Sequence, residues 1–144
     1  MAGRIDAPVG RGWVLNGGVS ARSYDTGEVT ILSAGVEKYV GRFRLAYTSF
    51  GALLAGEGSF SQAVSFDASY GRGEDNLFGV AFSAGDELEQ DVRAELRATD
   101  VRGVTARGRH WLGRRVGVLY TIGVHDQGTQ YTRRGGTAGI AFRF

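Results

Sequence analysis

The chain has 144 residues, of which 17 are basic and 15 acidic, for a formal net charge of +2. That length suits a single domain, the lack of cysteine excludes disulfides and thiolate metal sites, and so slight a positive charge, with no basic run interleaved with aromatics, gives no ground for nucleic-acid binding. Proline occurs once, at Pro8, and glycine 24 times, above the usual ~7 % and without the period of collagen. Lys38 is the sole lysine, the other cations being arginines, a bias that suits charges held in hydrogen-bonded pairs. No apolar run approaches the ~20 residues of a spanning helix. The opening "MAGRIDAPVGRG" lacks the apolar centre of a signal peptide, which fits a cytoplasmic protein or a mature segment, and the pattern that follows favours the second.

Residues 1–11 are expected to be disordered, and 12–144 to form one domain with a period of two. In "WVLNGGVSAR" Trp13, Leu15 and Val19 alternate with Asn16, Gly18 and Ser20. In "VTILSAGVEKYV" Leu32, Ala34, Val36 and Val40 oppose Ser33, Gly35 and Glu37. Phe43, Leu45 and Tyr47 then oppose Arg42, Arg44, Ala46 and Thr48. Val64, Phe66, Ala68 and Tyr70 oppose Ser61, Ala63, Ser65, Asp67 and Ser69, and Phe78, Val80 and Phe82 oppose Gly79, Ala81 and Ser83. "AGDELEQD" reads as a polar connection. After it, one long strand is favoured over a short helix on Leu88, Val92 and Leu96, because Arg93 to Arg109 hold one parity; Trp111 falls on that polar row and calls for a bulge or an inward tryptophan. Val116, Val118, Tyr120, Ile122 and Val124 oppose Gly117, Thr121, Gly123 and His125, and Ala138, Ile140, Phe142 and Phe144 oppose Thr137, Gly139, Ala141 and Arg143.

This predicts eight strands. "VGR", "RGEDN" and "LGRR" are short turns, whereas "YDTGE", "LLAGEGS", "AGDELEQD" and "DQGTQ" are longer loops. Short turns at one end and longer loops at the other are the habit of outer-membrane barrels. An even count puts both termini at the short-turn, periplasmic end. The polar row is mostly Gly, Ala, Ser and Thr, too small for a solvated surface but suited to a narrow eight-stranded interior. The opposite row of Val, Leu, Ile, Phe and Tyr then faces lipid. The expected fold is an all-β, eight-stranded, antiparallel up-and-down transmembrane β-barrel, and the alternative is a soluble barrel or sandwich.

Several groups of residues carry possible roles. Glu37, Arg42, Arg44, Asp67, Arg107, Arg109, Arg115 and Arg143 share the inward row; in a narrow lumen they pair and plug it, or they line a small anion-favouring pore. Trp13, Phe43, Tyr70, Phe78 and Phe144 fall near strand ends where an aromatic girdle lies. Ala138, Ile140, Phe142 and Phe144 form the alternating end expected of a client of the outer-membrane assembly machinery. The acids Asp86, Glu87, Glu89 and Asp91 suit a solvated loop better than a divalent-cation site. An enzyme acting on lipid or lipopolysaccharide would use His125 with Asp126 and Ser65, Ser69 or Ser83, since His110 has lipid-facing parity; no nucleophile-elbow pattern supports it. Arg133 and Arg134 stand at the wrong end for a twin-arginine signal, and Arg133 belongs to the upper lumen.

The C-terminal third, with "GRHWL", "YTIGVHDQG" and "YTRRGGTAGIAFRF", resembles the end of YaiO-type outer-membrane β-barrels. "AGDELEQ" and "GVEKYVGRFRLAY" are similar more loosely. The resemblance implies a Gram-negative outer membrane and no established activity; the N-terminal sequence common in that family is not matched here. The expectation is therefore a monomeric, non-enzymatic barrel with a filled, arginine-rich lumen. No cofactor or metal is expected, and the partners are membrane lipid, lipopolysaccharide and the assembly machinery. A pore or a component of polysaccharide export is the first alternative, and a lipid enzyme the second.

Overall fold

The computed structural model describes residues 1–24, 27–54, 57–71, 75–90, 96–128 and 131–144. They form strands β1 (Ala2–Gly10), β2 (Trp13–Tyr24), β3 (Gly27–Val40), β4 (Phe43–Leu54), β5 (Glu57–Tyr70), β6 (Asn76–Gln90), β7 (Leu96–Trp111), β8 (Val116–Gln127) and β9 (Tyr131–Phe142). All nine lie in one sheet in chain order, each antiparallel to the next. The expected count of eight is therefore corrected to nine.

The extra strand is the segment expected to be disordered. β1 pairs with β2 from Ala2↔Ser20 to Gly10↔Trp13, with a bulge between Pro8 and Gly10. Its alternation of Arg4 and Asp6 with Ile5 and Ala7 is short and broken by Pro8, which hid it in the sequence. Proline lacks a ladder donor and is tolerated on an edge strand. Arg11 and Gly12 both take positive φ, at 50° and 76°, the backbone of a two-residue hairpin whose twist matches its strands. An odd count also separates the termini. Met1, bonded to Ala21, and Phe144, just past β9, stand at opposite ends of the sheet, so the expectation that both share one side does not hold.

The connections at 11–12, 41–42, 71–75 and 112–115 define a proximal end. At the distal end the expected long loops are largely strand. Tyr24 pairs with Gly27, Leu54 with Glu57, and Gln90 with Leu96. Asp, Glu and Gly have low β-propensity, so "AGDELEQ" read as a loop. Backbone pairing, however, continues beyond the apolar stretch of a strand without needing apolar side chains. The seventh strand is continuous, and Trp111 keeps its register against Gly117 with an inward side chain rather than a bulge.

Hollows gather on the polar row, and residues from β3 to β8 line a common one, so the sheet curls round that row. Burial is inverted relative to a water-soluble fold. Ala46 is the one buried hydrophobic residue among those described, whereas Glu37 and Asp67 are 6 % and 5 % exposed. Leu32, Phe66, Phe82 and Ile122 stand exposed on the opposite face. On β4 that face runs from Phe43 to Leu53, ten steps of about 3.3 Å. Tilted by ~40°, it spans ~25 Å, the height of an outer-membrane apolar band.

Candidate functional site: the inward charge network

The register dictates which charges meet. On the inward row of the proximal half, Tyr39 pairs with Arg44, Arg44 with Asp67, Asp67 with Gly79, and Gly79 with Arg107. Arg44 lies between two carboxylates, donating from Nε to Glu37 at 2.8 Å and from a terminal nitrogen to Asp67 at 2.6 Å. Arg107 donates to both Asp67 oxygens at 2.9 Å. To do so Asp67 reaches across β6 at Gly79, where an added Cβ would stand 2.0 Å from Asp67 Oδ1. Any side chain there would displace the carboxylate from its arginine. Glu37 also accepts from the Tyr39 hydroxyl at 2.8 Å, Asn16 at 3.3 Å and Arg4 at 3.4 Å, and Arg4 is further paired with Asp6 at 2.8 Å.

The network therefore runs Arg4–Glu37–Arg44–Asp67–Arg107 across the sheet from β1 to β7. Both carboxylates accept several charge-assisted hydrogen bonds, which is what allows them to be buried. Sequence parity places Glu37, Arg44, Asp67 and Arg107 on one row. It also puts Asn16 on the polar row without joining it to the charges, and it misses Tyr39, Arg4 and Asp6, the last two because they lie in the segment expected to be disordered. The alternation of β1 was the signal that could have found them.

The remaining expected lumen arginines lie elsewhere. Arg143 pairs with Asp75 at 2.8 Å and stacks over the Trp111 ring at 3.9 Å. Arg109 donates to the Asp75 carbonyl at 2.9 Å. The Arg143 guanidinium holds the Asp75 carboxyl below its ordinary range. These groups tie Asp75, just before β6, to the chain end. Arg42 lines the proximal mouth beside Ser69. Arg115 is exposed in the 112–115 connection, where its carbonyl accepts from the Arg143 amide; it is not in the network, because the strand has already ended.

On the outward face Phe43, Ala68, Phe78, Gly108 and Tyr120 occupy one rung. Bulky rings thus alternate with small residues near the proximal end. Trp13 is close by with Lys38 over its ring at 4.7 Å, and Phe43 stacks on Phe66 at 5.7 Å. Tyr70 and Tyr120 bracket His110, the Tyr70 hydroxyl meeting Nδ1 and the Tyr120 hydroxyl meeting Nε2 at 3.1 Å. Lipid-facing parity was legible for His110; its two phenol partners were not, since they come from other strands. Ala138, Ile140 and Phe142 lie on β9, and Phe144 follows it, fully exposed.

Ser83, Gly103 and His125 share an inward rung in the distal half. No hydrogen bond joins His125 to Ser83 among the described residues. Asp126, on the opposite face, accepts from Thr132 at 2.9 Å. Ser65 and Ser69 lie on rungs nearer the proximal end, and Arg133 stands opposite His125. Asp86 is exposed in β6; the side chains of Glu87 and Glu89, and all of Asp91, lie outside the described residues.

No family model and no curated protein matches the chain. The fold resembles that of a porin. A solved structure of the NanC porin matches 90 % of this chain and 71 % of its own, with a TM-score of 0.50 and 8 % sequence identity. At that identity the likeness concerns the fold alone.

Proposed function

We propose that the chain is a bacterial outer-membrane β-barrel protein of structural, surface or anchoring role, its lumen stopped by its own ion pairs. The observation that carries this reading is the inverted burial: Glu37 and Asp67 are buried among arginines while Leu32, Phe82 and Ile122 are exposed. Water would penalise such a surface, and hydrocarbon favours it. The porin-like sheet and the resemblance of the C-terminal third to YaiO-type barrels support the same reading. The partners are then lipid, lipopolysaccharide and the machinery that assembles barrels, and the working form is a monomer.

Conductance in a planar bilayer tests the stopped lumen. The wild-type protein is expected to be silent and Arg107→Ala to leak, because the change removes the cation that ties β7 to Asp67. A wild-type channel whose anion preference disappears in Arg107→Ala would replace the plug with a pore.

A further inference from the structure

The charge network fills only the proximal half of the inward face. Six residues along the strands from Glu37, Arg44, Asp67 and Arg107, about 20 Å, a cavity of about 400 Å³ opens between β3 and β8. That volume falls within the ~300–1,000 Å³ of small-molecule sites. Ile31 and Phe50 on β3 and β4 and Val101 on β7 flank it with apolar side chains, and Ser59, Ser61 and Ser83 on β5 and β6 lie between them. All six stand on the inward row, where apolar side chains are out of place in a merely wet or ion-paired lumen. No side-chain hydrogen bond within the protein engages the three serines, among the described residues.

We propose that this distal cavity is a binding cup for a neutral amphipathic molecule of glycoside type, an apolar body carrying hydroxyl groups. The apolar body would lie on Phe50 and Ile31. The serines each offer one donor and two acceptor lone pairs, which matches the hydroxyl of a sugar. His125 lines the cavity from β8, and Asp86, which borders it, has the outward parity of Phe82 and Ala84 in the β6–β7 register. Arg4 is occupied by Asp6 and Glu37, and Arg133 faces a separate hollow beyond His125. Among the described residues the cup therefore has no arginine or lysine of its own to select an anion. The cup shares no lining residue with the ion-pair plug.

The test is calorimetric titration of para-nitrophenyl glucoside, with para-nitrophenyl phosphate in parallel, into the refolded protein in lipid nanodiscs, with empty nanodiscs as blank. Saturable binding of the glucoside over the phosphate is expected. Ser61→Ala should weaken it about fivefold, the loss of one hydrogen bond, and Ala52→Trp should abolish it by filling the cavity. A heat-dependent shift on a gel checks that each variant is folded. A folded wild-type protein that binds no glucoside overturns the cup and leaves the barrel reading intact. Binding unchanged in both variants, or tighter binding of the phosphate, also overturns it.

Discussion

Gly79 shows how one small residue can hold a network together. It lies between Asp67 and Arg107 in the register, and the carboxylate occupies the space a Cβ would need. Gly79→Ala should displace Asp67 and cost about 2 kcal/mol, within the ~1.5–3 kcal/mol of hydrogen bonds to charged groups. The urea midpoint of the refolded protein checks this, and Asp67→Asn should lower it comparably. A second residue-scale prediction concerns Asp75, whose carboxyl the Arg143 guanidinium depresses. A depressed carboxyl stabilises the folded state above its unfolded pKa, and that contribution is lost as pH falls through the folded pKa. Acidification below the ordinary carboxylate range should free Arg143 from Asp75 and change the emission of Trp111, on which Arg143 stacks. In Asp75→Asn that acid-dependent change should vanish.

Strands present two faces, and adjacent residues on one strand test them. Ile122 is 59 % exposed on the outward face of β8, and Thr121 is its inward neighbour. In the membrane reading Ile122→Arg should destabilise the protein by about 2–4 kcal/mol, the depth-dependent cost of a lipid-facing arginine. Thr121→Arg, beside open lumen, should lose less than half of that in the same unfolding assay. Equal losses would mean that the two faces are not differently solvated. This two-faced pattern was the most legible feature of the sequence, because rows such as Phe43–Leu45–Tyr47 against Arg44–Ala46–Thr48 alternate with the period of a strand and not that of a helix. Less of the rest could be read. β1 was hidden by Pro8 and by charges at its alternate positions. The distal ends of β6 and β7 were hidden by Asp, Glu and Gly, which pair as backbone without an apolar signature. Glu37, Arg44, Asp67 and Arg107 could be placed on one row but not paired, since pairing depends on register, and register follows from turns and bulges that parity does not reveal. Tyr70, His110 and Tyr120 met unannounced for the same reason.

At the scale of the whole molecule, nine antiparallel strands leave β1 and β9 as the two edges, running in the same direction. No ladder joins them among the described residues. Hydrocarbon does not tolerate an open edge, so in a bilayer both must be covered, and direct contact between them would be a parallel seam. Charged Arg4 and Asp6 with Pro8 on β1 are the features that keep an edge from pairing at random in water. Closure in lipid is therefore the central claim, and one gel reads it. The protein refolded in detergent is run in SDS boiled and unboiled, with circular dichroism to confirm sheet. A closed barrel resists cold SDS and migrates as a compact species that heating converts to the unfolded one, and that shift is the predicted result. Identical migration of the two samples, from a protein that stays folded and soluble without detergent, would contradict it and turn the apolar face inward.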